Sequence, residues 1–78
     1  MIHEIKILPE YFEAVWTGKK KFEVRKNDRD YHVGDTVVLK EWNGESFTGY
    51  AVTKRISYML SSVDGIKEGY CVFGIEDQ

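Results

Sequence analysis

Lys20, Glu23 and Arg25 are the residues of this 78-residue chain best suited to hold a ligand. Glu23 and Arg25 lie two apart, so on a strand they share a face. An arginine presents two donors in a fork, and a carboxylate accepts from an amino group, a combination that suits a phosphate or a nucleobase. Around them, Thr17 to Arg29 carries Lys19, Lys20, Lys21, Arg25, Lys26 and Arg29 against Glu23 and Asp28, a local charge of +4 in a chain of net charge −2. Such segregation sets up a directional field that favours an anionic partner. Three consecutive lysines cannot all face one way on a strand, and Lys20 is the one assigned to the ligand. Asn27 and Arg29 add amide and guanidinium donors for phosphate oxygens or base edges, although Asn and Asp also occur here as turn formers. Tyr31 is flanked by polar residues and is expected to be the most exposed aromatic, available to stack on a base. Trp16 and Trp42 are weighed for stacking too, against the needs of the core.

Other side chains carry less. His3 and His32 stand alone, and Asp28 with Asp30 lacks the remaining oxygens of a calcium loop, so no metal is expected. Cys71 lies in an apolar run and reads as a small buried hydrophobe rather than a nucleophile.

Elements that place these residues follow from periodicity. Ile5 and Ile7 belong to a short first strand, which Pro9 ends because it has no N–H for a ladder, while suiting the first turn of a helix. Leu8, Phe12, Val15 and Trp16 form one apolar helix face, Glu10 and Glu13 favour its N-terminal dipole, and Gly18 is placed to terminate it. From Lys20 the period is two, with Phe22 and Val24 on one side and Lys21, Glu23 and Arg25 on the other. Asn27 to Asp30 is a polar loop, and Val33-Gly34-Asp35 is a turn into a strand over Thr36 to Trp42. Asn43-Gly44 predicts a two-residue type I′ hairpin turn. The return strand, Phe47 to about Leu60, is expected to alternate Tyr50, Val52, Ile56 and Tyr58 against Ala51, Thr53, Arg55 and Ser57 and to bend near Gly49. After a polar loop, Tyr70 to Ile75 forms the last strand, with Cys71, Phe73 and Ile75 on one face. The sum is a mixed α+β, mostly β fold: a curled sheet or small β-barrel of about five strands with one short helix after the first.

Composition sets the bounds. A content of 42% hydrophobic and 31% charged residues, with one proline, indicates a globular chain rather than a disordered one, and the length suits a single domain over residues 1–78. No stretch reaches the roughly 20 apolar residues of a membrane span, and the charged start is unlike a signal peptide. A lone cysteine excludes an internal disulfide framework, so a reducing, cytoplasmic setting is expected.

Gly18-Lys19-Lys20-Lys21-Phe22-Glu23-Val24-Arg25 matches at every fixed position the G-x-K-x-x-E-x-R signature of the ASCH domains, in the PUA-like superfamily of small β-barrels. The wider frame resembles a short bacterial and phage branch of ASCH-like domains of unknown function: Pro9-Glu10-Tyr11-Phe12, Lys26-Asn27-Asp28-Arg29 after the signature, Val33-Gly34-Asp35, Glu41-Trp42 and Gly69-Tyr70. The resemblance implies a barrel with a cleft beside the helix where Lys20, Glu23 and Arg25 gather, and a role in binding RNA or a nucleotide. One branch of the superfamily hydrolyses acetylated cytidine with a lysine at the position of Lys20. That branch has threonine in place of Glu23 and a further glutamate in an insertion absent here.

Three functions are therefore expected in this order. The first is a non-catalytic RNA- or nucleotide-binding module without cofactor, using Lys20, Glu23, Arg25, Lys26, Asn27, Arg29 and Tyr31. The second is a small amidohydrolase of a modified cytidine nucleoside, in which Lys20 activates water or forms a transient adduct and Glu23 relays protons. The third is a phage or bacterial protein-interaction module using a sheet edge or the acidic remainder of the surface.

Overall fold

A computed structural model describes residues 1–78. Strands β1 (Ile2–Ile7), β2 (Phe22–Lys26), β3 (Thr36–Trp42), β4 (Phe47–Ser61) and β5 (Tyr70–Glu76), with helix α1 (Pro9–Trp16) after the first, make up the fold. They form one five-stranded sheet of order β1-β3-β4-β5-β2, curled into a half-barrel. Only β1 and β3 pair in parallel, Ile5 opposite Leu39; the other three pairings are antiparallel. The connection between β1 and β3 carries α1 and β2, which is how a parallel pair fits in so short a chain.

Each buried face shows period two. His3, Ile5 and Ile7 of β1, Val37 and Leu39 of β3, and Cys71, Phe73 and Ile75 of β5 point inward. Phe12 and Val15 close the core from α1. The helix has only eight residues, too short to persist unless docked by that face. Leu8 and Trp16, expected on the same face, are instead exposed, because two turns seat only the central part of the stripe. Pro9 occupies the first turn, and Gly18 adopts a φ of +81° just past the end. Its N–H bonds the Val15 carbonyl at 3.0 Å, and the Lys20 N–H bonds that of Ala14 at 2.9 Å. This left-handed step turns the chain from the helix directly into Lys20.

The β3–β4 hairpin holds two departures from the expected pattern. Asn43-Gly44 does not form a two-residue turn, since Trp42 pairs with Phe47 and leaves a four-residue loop. The Asn43 side chain prefers to accept from the N–H groups of Glu45 (2.9 Å) and Ser46 (3.0 Å), which commits the loop to a longer turn. Tyr58 does not share the inward face of Ile56, and both Tyr50 and Tyr58 are about two-thirds exposed. A register shift between Ile56 and Tyr58 inserts an extra residue at Ser57, so inward parity passes from Ile56 to Met59. Gly74 makes room for it, for a Cβ there would stand 2.7 Å from Ser57 Oγ. Gly49, with φ +97°, lies within a second irregularity between β3 and β4, where the bend was expected.

The loop before β3 is anchored by Asp35, which sequence reading passed over. Its carboxylate accepts from His3 Nε2 at 2.8 Å and from the His32 N–H at 3.0 Å. The His3 bond above all holds the Asp35 carboxyl at about 2, down from 3.8. A depressed acid stabilises the fold above its ordinary value and ceases to do so as pH falls through its native one. We expect the urea midpoint to fall between about pH 4 and pH 2, and Asp35→Asn to flatten that part of the profile. An equally steep decline in the variant would refute the assignment.

Candidate functional site

Strand β2 reverses the usual arrangement of a half-buried strand. Phe22 and Val24 are about half exposed, whereas Glu23 faces inward with 3% of its surface accessible. A buried carboxylate requires partners. Lys20 Nζ donates to Glu23 Oε1, and Arg25 Nε donates to Oε2 at 2.9 Å, so each oxygen has its own cation. Lys20 also donates to the Phe22 carbonyl at 2.8 Å. The three heads expected to gather beside the helix do gather.

They line a hollow of about 470 Å³ walled by Ile7, Leu8, Tyr11 and Phe22. That is an ordinary size for a small-ligand site. Lys20 Nζ stands 5.2 Å from the Phe22 ring centre and 5.7 Å from that of Tyr11, so a cation and two partly exposed rings border one space. Because Glu23 is buried and each of its oxygens already faces a cation, the carboxylate serves to orient Lys20 and Arg25 rather than to accept from a base amino group. Lys20 keeps one N–H, and the Arg25 fork keeps donors beyond those in use, free for a guest.

Arg25 also spans the open side of the half-barrel. Strands β1 and β2 are the two edges of the sheet and share no ladder. Arg25 Nη2 crosses between them to the Lys6 carbonyl at 2.7 Å, and Arg29 Nη1 reaches the Glu4 carbonyl at 3.1 Å. Two guanidiniums thus satisfy edge carbonyls that would otherwise have only water.

The remaining expected residues lie further along this seam. Lys26 and Arg29 border a second hollow of about 500 Å³. Asn27 is exposed; its backbone N–H bonds the Gly69 carbonyl at 2.8 Å and its side chain makes no hydrogen bond. Tyr31 is a correction. Expected to be the most exposed aromatic, it is 5% accessible, with its ring 4.7 Å from His3 and 4.9 Å from Phe73. The polar neighbours mark a loop that crosses the mouth of the core and drops its one large apolar ring inside. Burial pushes its hydroxyl up, while Arg25 and Arg29 pull it down. Tyr50, Tyr58 and Trp16 are the most exposed aromatics instead, Trp16 stacked at 5.8 Å on Phe12.

Cys71 is fully buried, and that burial pushes its thiol up, away from the reactive thiolate. Sequence reading missed Lys6 and Lys40, which stand over the Trp42 and Phe47 rings at 4.1 and 4.5 Å. Lys6 alternates with Ile5 and Ile7, so outward projection was readable, but its proximity to β2 depends on the curl. No group of three or more His, Cys, Asp or Glu gathers as a metal set, and no helix is long and apolar enough to cross a membrane.

Comparison with known proteins adds the lineage. The chain is 43% identical over 67 residues to an uncharacterized 12.9 kDa protein in the GpA 3′ region of Escherichia phage P2, a match covering 86% of this chain. It spans 62% of the length of that relative. The profile described as "Domain of unknown function (DUF3850)" matches residues 2–75, which takes in the helix, all but the last residue of the sheet and the whole Lys20, Glu23, Arg25 cluster. The chain belongs to the DUF3850 family.

Proposed function

We propose that the hollow between α1 and β2 binds a nucleotide unit, free or within RNA, without chemical conversion. Lys20 and Arg25 hold the phosphate, Glu23 orients both, and Tyr11 and Phe22 offer faces to the base. The observation that carries this reading is the convergence of an ammonium and a guanidinium on one buried carboxylate inside a ring-walled hollow, in a chain whose net charge is −2. The ASCH-like signature over Gly18 to Arg25 points the same way. Phosphate recognition by a lysine and a forked arginine needs no further group.

Amide shifts of Lys20, Glu23, Arg25 and Tyr11 are expected to move saturably when a nucleotide panel or single-stranded RNA is added at low salt, with affinity falling as salt rises. Lys20→Ala should weaken binding roughly tenfold, the loss of one charged contact. Absence of any saturable shift would end the proposal. Hydrolysis of an acetylated cytidine nucleoside is the second reading, favoured by the direct Lys20 to Glu23 contact. Turnover above buffer that Lys20→Ala abolishes would put it first.

A further inference from the structure

The second hollow on the seam suggests what the guest is. It is bordered by Lys6, Arg25, Lys26, Arg29 and Lys40, with Glu4 and Asp28 as its acidic members and Phe47 and Tyr31 among its rings. Glu4 is itself engaged by Lys40 at 3.3 Å. Lys6 and Arg25 border both hollows. Arg25 on β2 lies across from Lys6, and Arg29 in the loop after β2 lies across from Glu4, so β2 and its following loop run along β1, and the two hollows adjoin at Lys6 and Arg25. Arg25 stands at the junction.

Each hollow separately is large enough for one small ligand. A mononucleotide filling the first would leave the second empty, with its cations facing water. Along the pair, cationic heads recur while rings stand at intervals, Tyr11 and Phe22 in the first and Phe47 in the second. Repeated charge with interleaved rings matches a phosphodiester chain with unpaired bases, in which each unit brings one charge and one stackable face. A duplex keeps its bases inside and would present only backbone, leaving the rings without a face to stack on.

Resting on the nucleotide reading above, we infer that the site is a two-bay channel for a single-stranded oligonucleotide longer than one unit, with Arg25 gripping the backbone between the bays. RNA and DNA strands share this chemistry. Lys40 and Lys26 then mark the second bay, while the first is complete without them.

The test measures binding of uridine monophosphate, a uridine tetranucleotide and its thymidine counterpart to the wild-type protein and to the Lys26→Gln/Lys40→Gln variant. We expect the tetranucleotide to bind at least tenfold tighter than the monophosphate, with a steeper salt dependence, since roughly 0.7 of a counterion is released per added phosphate contact on a single strand. The variant should lose most of that advantage while its monophosphate affinity stays within about twofold. Equal affinity for monomer and tetramer, or a tetramer unaffected by the variant, overturns the two-bay channel and leaves the single hollow standing. Binding of neither ligand removes both. Displacement of the tetramer by polyglutamate at equal charge would overturn the channel as well, because bases would then contribute nothing. The ribose and deoxyribose arms separate RNA from DNA.

Discussion

Glu23→Ala is expected to destabilise the protein by about 3 kcal/mol, the low end of the cost of removing one partner from a buried ionic group. The low end applies because Lys20 and Arg25 retain 17% and 23% side-chain exposure and can turn partly toward water once the carboxylate is gone. In a domain of this size, that corresponds to a fall in melting temperature of roughly 12 to 24 °C. Nothing else can hold the two cations together, since each takes a different oxygen of the same carboxylate. Glu23→Gln retains the shape and one acceptor, so its loss should be smaller. Urea denaturation decides the matter. A change below about 1 kcal/mol in the alanine variant would show that the cluster is solvated, and the positioning role given to Glu23 would fall with it.

Arg25→Lys is expected to have the next largest effect, although it keeps the charge. One guanidinium reaches both Glu23 Oε2 and the Lys6 carbonyl, from different nitrogens of a planar fork. An ammonium on a shorter reach cannot serve two acceptors on separate strands in the same way. Losing the hydrogen bond to the β1 carbonyl and loosening the one to the carboxylate should cost about 2 kcal/mol. Hydrogen exchange should quicken in β1 and β2 first, the two strands with only one ladder neighbour each, while β3, β4 and β5 remain protected. Nucleotide affinity should fall about tenfold to a hundredfold, corresponding to one charged hydrogen bond to phosphate. If stability falls and affinity does not, Arg25 only fastens the sheet and the ligand lies elsewhere.

The secondary structure was largely legible because it follows local rules. Pro9 and Gly18 bracket α1 as they should, Thr36 to Trp42 matches β3, and Cys71, Phe73 and Ile75 share the buried face of β5. Alternation in β2 was visible too. What periodicity does not carry is the side that turns inward, and in β2 the polar side does, because paired charges meet across the strand start. Tyr58 was misplaced for a related reason: a single added residue at Ser57 changes parity downstream, and nothing in the local sequence announces it. Tyr31 illustrates the limit from the opposite direction. Polar neighbours describe the loop, whereas the destination of its ring depends on where His3 and Phe73 lie in three dimensions. The grouping of Lys20, Glu23 and Arg25 was readable since they are close in sequence. Lys6 and Lys40 were not, for they approach β2 only once the sheet has curled.

The guanidiniums of Arg25 on β2 and Arg29 in the loop after it, which reach across to β1, have a consequence for behaviour at high concentration. A strand rim with bare carbonyls is a template onto which another copy can add itself, and open sheets ordinarily protect such rims with charge or bulges. Here the β1 carbonyls of Glu4 and Lys6 already receive cationic donors. An approaching strand would have to displace two fixed positive groups before it could zip on, so the same pair of side chains that shapes the channel also discourages fibre-like stacking.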